Sequence, residues 1–335
     1  MSLLLWFIYH LCFLKMSSVN QSEQQEQGAV ERLLFSTATG IPCCIFLLIN
    51  GTMLFTLRSK AVFRDTSRYV LLYNLLLADT AQMACSQLMY VLAACGATLT
   101  YPECGVLNLL GKLTSDISPL TLLVMSVERY VAVCFPLRHA SIITSRSTGA
   151  AIGGVWAVGL LNVLTRGLLM FRFASQHLPS LQMSEVCSEV ALLVEPVTNT
   201  YNNVYTYLVF VSATAAITWS YVGVMVAARS ASADKASAHK ARVTLLLHLV
   251  QLGFTLSSTI NILIIRLLSV SFQRLVIVRI RSVLYMLNYM LPRCLISLIY
   301  GLRDQTIRPV LIYHLCCKIK LYESQVKVLG WIRNK

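Results

Sequence analysis

Three acidic and seven basic side chains lie inside long apolar runs of this chain, where a charge costs about 2.5–3.5 kcal/mol at the centre of a bilayer. Each therefore calls for a partner or a hydrated cavity. Asp79 and Arg293 each stand about 13–15 Å in from the same end of their runs, counted at 1.5 Å per residue. Opposite charges at equal depth predict a buried ion pair; the alternative is a hydrated pocket for each. Lys112 and Asp116 are four residues apart and share a helix face. They read either as a self-neutralising pair or as the polar floor of a ligand cavity between helices. Glu128-Arg129-Tyr130 closes the far end of that same run, where an arginine could snorkel to water or face a partner. Arg166, Arg266, Arg279 and Arg281 lie near the opposite helix ends, and snorkelling accounts for them.

The elements that position these residues follow from composition. Apolar residues make up 56% of the 335 and charged residues 13%, against about half and a quarter in a soluble protein. Apolar runs fall at 33–57, 69–94, 105–135, 148–170, 201–228, 243–268 and 277–300. A span needs about 20 residues, and in lipid a helix satisfies its own backbone hydrogen bonds. The expected fold is an all-α membrane protein, a seven-transmembrane helix bundle. With the N-terminus outside, the inner segments hold seventeen Lys and Arg and the outer segments four. That asymmetry fixes the orientation and explains the net charge of +14 through anionic membrane lipid. A nucleic-acid footprint needs one clustered basic face with aromatics, and none is present.

The chain divides into an extracellular segment 1–32, a helical domain 33–300 and a cytoplasmic tail 301–335. Residues 1–15 are read as an upstream extension, with Met16 as the start, or as a weak secretory signal. Asn20-Gln21-Ser22 is a glycosylation sequon on the outer side; the second sequon, Asn50-Gly51-Thr52, lies inside the first run and is expected to be unused. Residues 302–317 form a short amphipathic eighth helix inside, with Ile307, Val310, Leu311 and Leu315 on one face. Cys316 and Cys317 then sit at the membrane surface, either palmitoylated or as inert thiols.

Enzyme classes find no support. The sequence has no HExxH and no phosphate loop, and no nucleophile–base cluster in a water-facing segment. The six histidines are scattered, so neither a metal nor another cofactor is expected. The run 277–300 contains no lysine for a retinal Schiff base. A transporter or channel is the alternative from another class. It calls for repeated halves or broken helices, and ligand-triggered currents without a G protein would favour it.

Several motifs, in order and on the right spans, resemble the rhodopsin-like G-protein-coupled receptors across residues 33–317. Leu75-Leu76-Leu77-Ala78-Asp79 is similar to the second-helix LxxAD motif, Glu128-Arg129-Tyr130 to the D/E-R-Y motif, and Trp156 to the fourth-helix tryptophan. Met125 to His139 resembles the MAYDRYVAICxPLRY signature of odorant receptors. Ser220-Tyr221, Lys240-Ala241-Arg242, Pro292-Arg293-Cys294-Leu295 and Ile299-Tyr300-Gly301-Leu302-Arg303-Asp304 fit the same group, and the last two are closest to fish receptors of the 131-like type. The resemblance implies a disulfide between Cys104 and Cys187 and a small-molecule odorant, polar or charged, among the third, fifth, sixth and seventh helices. It further implies Glu128, Arg129, Tyr130, Tyr221 and Tyr300 in coupling to a heterotrimeric G protein of the stimulatory olfactory type, at the plasma membrane.

The departures are specific. Ile296 and Ser297 stand where the NPxxY motif has Asn and Pro. The fifth run has no proline, and the sixth has neither proline nor tryptophan. Gly253 is a lone point of flexibility there. No acid stands near 240–246, so a latch from Arg129 to the sixth helix is not expected.

Overall fold

The computed structural model describes residues 23–94, 97, 99–177, 187, 192, 196–230, 239, 242–247, 249, 250, 253, 280, 283–291, 293, 299–302 and 304–314. Side chains are described from Thr39 onward, except 93, 94, 177, 228–230, 288 and 289. Asn20, Cys95, Arg266, Arg279, Arg281, Cys316 and Cys317 lie outside the described residues, as does most of the sixth run.

The described part is all-α. Long helices α1 (Glu23–Ser59), α3 (Ser67–Ala94), α4 (Tyr101–Cys134), α6 (Ser145–His177) and α7 (Pro196–Ser230) are joined by short helices α2 (Ala61–Asp65) and α5 (His139–Ile142). Five segments are long and apolar enough to cross a membrane: Thr39–Ser59, Ser67–Leu92, Tyr101–Cys134, Ser145–Gln176 and Pro196–Ala227. They coincide with the first five predicted runs.

Helix α4 begins four residues earlier than its apolar run. The cause is a capping box: Glu103 N–H donates to Thr100 Oγ1 at 3.5 Å, and Thr100 N–H to Glu103 Oε2 at 2.9 Å. This satisfies two of the orphan donors of the first turn. Pro136 ends the helix, because the residue before a proline is pushed out of the helical region; Phe135 has φ −131° and ψ 57°. Pro119 lies inside α4.

Helix α4 is the hub, packing against α3, α6 and α7, while α1 packs on α3. Its middle is buried on several sides, through Ile117, Leu122 and Met125. Polar bonds fix the crossing with α3 and α6. Asn74 Nδ2 donates to Thr121 Oγ1 at 3.0 Å, and Trp156 Nε1 donates to Asn74 Oδ1 at 2.9 Å. Outward faces stay apolar: Leu161 is 68% exposed, Leu168 66%, Leu208 65% and Trp219 74%. Each exposed leucine would forfeit roughly 2 kcal/mol of burial in water, and none of that penalty applies against lipid tails.

Residues 285–290 form a π turn, Tyr285–Met290. Pro292 follows in the sequence and has no N–H to return to the preceding turn, which is a local reason for widened winding here.

Candidate functional site

Two polar clusters lie toward opposite ends of α4. The first is near the Cys104 end. Lys112 Nζ stands 3.3 Å from Asp116 Oδ1, across one helical turn. Asn162 of α6 donates its Nδ2 to Asp116 Oδ2 at 2.5 Å. Both carboxylate oxygens are therefore engaged, and both side chains at the contact are buried, Asp116 to 5% and Asn162 to 2% exposure.

Arg166 sits one turn beyond Asn162 on the same face of α6 and is 1% exposed. The expectation that it snorkels is corrected: its face of α6 turns into the bundle, not toward the rim. Tyr205 of α7 completes this wall, within electrostatic reach of Asp116 and Arg166. Asn202 and Thr206 are its neighbours on α7. The Cys104–Cys187 disulfide closes the end above this cluster. Its two cysteines are buried among Tyr101, Met170 and Leu192.

The second cluster is at the Arg129 end. Arg129 Nε lies 2.7 Å from Glu128 Oε2, so the arginine is held by its own chain neighbour. Glu128 Oε1 is 3.7 Å from His139 Nε2 on α5. Arg68, Tyr300 and Asp304 lie within electrostatic reach of Arg129. Asp304 is bound from three sides. Arg68 Nη2 is 2.6 Å from Oδ2, and Tyr69 OH donates to Oδ1 at 3.3 Å. The Thr306 and Ile307 N–H groups donate to Oδ1 at 2.9 and 3.3 Å. Asp304 thereby caps the helix that starts at 307.

Tyr300 is buried beside Met53, Tyr69, Ile307 and Leu311. Gly301 packs closely there: a Cβ would come 2.6 Å from Leu311 Cδ2, so the leucine would have to shift. The Tyr130 ring lies over Gly223 of α7, where any Cβ would collide with it. Tyr221 packs with Val224 and Leu245.

Between the clusters, Arg293 Nε stands 3.6 Å from Asp79 Oδ1, with both side chains 6% exposed or less. Lys112–Asp116, Arg129–Glu128 and Arg293–Asp79 are thus charges paired inside an apolar bundle. No group of His, Cys, Asp and Glu suited to a metal occurs among the described residues.

Residues 49–295 match the profile of the 7 transmembrane receptor (rhodopsin family). The chain belongs to this family. The receptor is 33% identical to Odorant receptor 131-2 of Danio rerio over 276 residues, covering 82% of this chain and 84% of that protein. It is 29% identical to Olfactory receptor 1M1 of Homo sapiens over 161 residues, 47% of this chain and 50% of that protein. Olfactory receptor-like protein COR2 of Gallus gallus is 29% identical over 143 residues, 40% of the receptor and 46% of that protein. The receptor is thus a multi-pass membrane protein of the G-protein-coupled class.

Sequence reasoning missed Asn162, Asn74 and the Arg68–Asp304 pair, and it misplaced Arg166 at the rim. The Thr100-x-x-Glu103 pattern was readable as a helix start. Which face of α6 turns inward was not readable, because its small and apolar residues surround it evenly.

Proposed function

We propose that this receptor is a chemosensory receptor that binds a small odorant within its helix bundle and activates a heterotrimeric G protein. The observation that carries the reading is the 33% identity to an odorant receptor across four-fifths of both chains. In this reading the chain has seven membrane helices, with 1–32 extracellular, 33–300 as the receptor domain, and 301–335 as a cytoplasmic amphipathic helix and tail. Asn20 carries a glycan, Cys316 and Cys317 are palmitoylated, and the protein works at the plasma membrane without enzymatic activity.

The Lys112–Asp116 pair marks the ligand end. Its buried polar floor lies against α6 and α7, where a ligand could bear on three helices at once. Glu128, Arg129, Tyr130, Tyr221 and Tyr300 serve the coupling end. Ligand binds the active packing better than the resting one, and only that difference drives the shift. The helix ends around Arg129 then open to a G protein of the stimulatory olfactory type, freeing Arg129 from Glu128. The buried Asp79–Arg293 pair ties the second helix to the last one during this change.

The test is a cAMP assay in cells with surface expression measured in parallel. Arg129→Ala is expected to reach the surface and lose ligand-evoked cAMP. Normal signalling by that variant would remove the mechanism. Currents evoked by ligand in cells lacking G protein would remove the receptor reading altogether.

A further inference from the structure

The cluster at the Cys104 end contains polar atoms that the structure leaves without a protein partner. Asn162 is 2% exposed and Thr206 6%. Asn162 Oδ1, Thr206 Oγ1, Asn202 Oδ1 and the Tyr205 hydroxyl have no hydrogen-bond partner among the described residues. Leaving a buried polar atom unsatisfied costs about 1–3 kcal/mol, so four such atoms on two facing helices mark a place where something else supplies the bonds.

The orientation of Asn162 is chemically determined. A carboxylate only accepts, so the amide must turn its Nδ2 toward Asp116. Its Oδ1 is therefore an acceptor looking for a donor. The same contact engages Asp116 Oδ2, while Lys112 engages Oδ1. An ammonium group entering here meets two cations already in place, Lys112 and Arg166, against the single carboxylate of Asp116. A carboxylate is drawn by those two cations but carries no hydrogen to donate, and it leaves Asn162 Oδ1 unsatisfied. A hydroxyl donates one hydrogen and accepts through its oxygen, which matches an amide oxygen on α6 and hydroxyls on α7.

We infer that the receptor recognises an uncharged, hydroxyl-bearing small molecule, bridged between Asn162 on α6 and Tyr205 and Thr206 on α7. The inference rests on the receptor reading above for its biological meaning, and it adds the ligand class and three recognition residues. Lys112 and Asp116 act as positioning residues, because they hold the Asn162 amide in the orientation that presents its oxygen.

The experiment uses the full chain and matched probe sets on linear, cyclic and aryl skeletons. Each set holds an alcohol, its methyl ether, and the amine and carboxylate of the same skeleton. Two readouts are taken: cAMP in cells, and the melting temperature of the detergent-solubilised receptor. Alcohols are expected to be the active members, and the ether of an active alcohol to lose about tenfold in potency, the worth of one hydrogen bond. Thr206→Val and Tyr205→Phe, which keep side-chain size, are expected to lose a similar factor for the alcohol and none for its ether.

Amines or carboxylates that act where alcohols do not would overturn the inference and leave the receptor reading in place. An ether equal to its alcohol, or no alcohol that either signals or raises the melting temperature, would overturn it as well. Alcohols that raise the melting temperature through Thr206 and Tyr205 while cAMP stays flat would uphold the inference and remove the receptor reading.

Discussion

Asp116 and Asp304 are both buried acids with a basic partner, yet their surroundings differ. Asp304 receives an arginine, a phenol and two backbone N–H groups, and apolar side chains close around it. Asp116 receives one lysine and one amide, and Asn162 Oδ1 on α6 and the Tyr205 and Thr206 hydroxyls on α7 are unpartnered. A saturated acid is a structural joint: it caps a helix and ties the last segment to α3. A cluster with spare acceptors and hydroxyls gives up stability, the loss expected of a binding site before its ligand arrives.

That contrast can be broken by mutation. The largest effect is expected midway between the two regions. Asp79→Asn takes the carboxylate from Arg293 in a site with both groups buried, a loss of about 3–5 kcal/mol. Surface expression should collapse, and exchanging the two charges (Asp79→Arg with Arg293→Asp) should restore much of it; an exchange as damaging as the single change would refute a pairwise role. Asp304→Ala comes next. Arg68 is 40% exposed, so solvent weakens that pair, and the lost cap contributes about 1 kcal/mol. A drop of about 2 kcal/mol in total is expected, seen as a lower melting temperature of the solubilised protein with the ligand response per surface receptor retained. Thr206→Val should be the smallest. Its buried hydroxyl bonds to nothing described, so its removal should leave stability unchanged or raise it by about 1 kcal/mol. A large destabilisation there would mean the hydroxyl is structural and would erase the difference between the two regions.

Much of the scaffold was legible because it is written in long apolar runs, and the depth of Asp79 and Arg293 could be counted residue by residue. Lys112 and Asp116 were legible for the same reason: four residues along a helix put two side chains on one face. What could not be read depends on helix rotation and on contacts between distant segments. Arg166 passes for a rim residue until α6 is rotated into place. Tyr69 and Asp304 are 235 residues apart, and no local pattern announces their bond. The Trp156–Asn74–Thr121 chain is of the same kind: the tryptophan stood out by type, but its acceptor on α3 did not. The π turn at Tyr285–Met290 had a cause in the nearby Pro292, but a proline equally permits a kink or a break.

Helix α4 carries Asp116 and Glu128 twelve residues apart, about 18 Å along its axis, with Pro119 between them. A proline there removes one rung of the backbone ladder. The rod that joins the two clusters is therefore softest just below the upper one. A sideways push delivered at Asp116 would flex the shaft at that joint, and the lower part would swing as one stiff lever whose tip is the arginine at its foot.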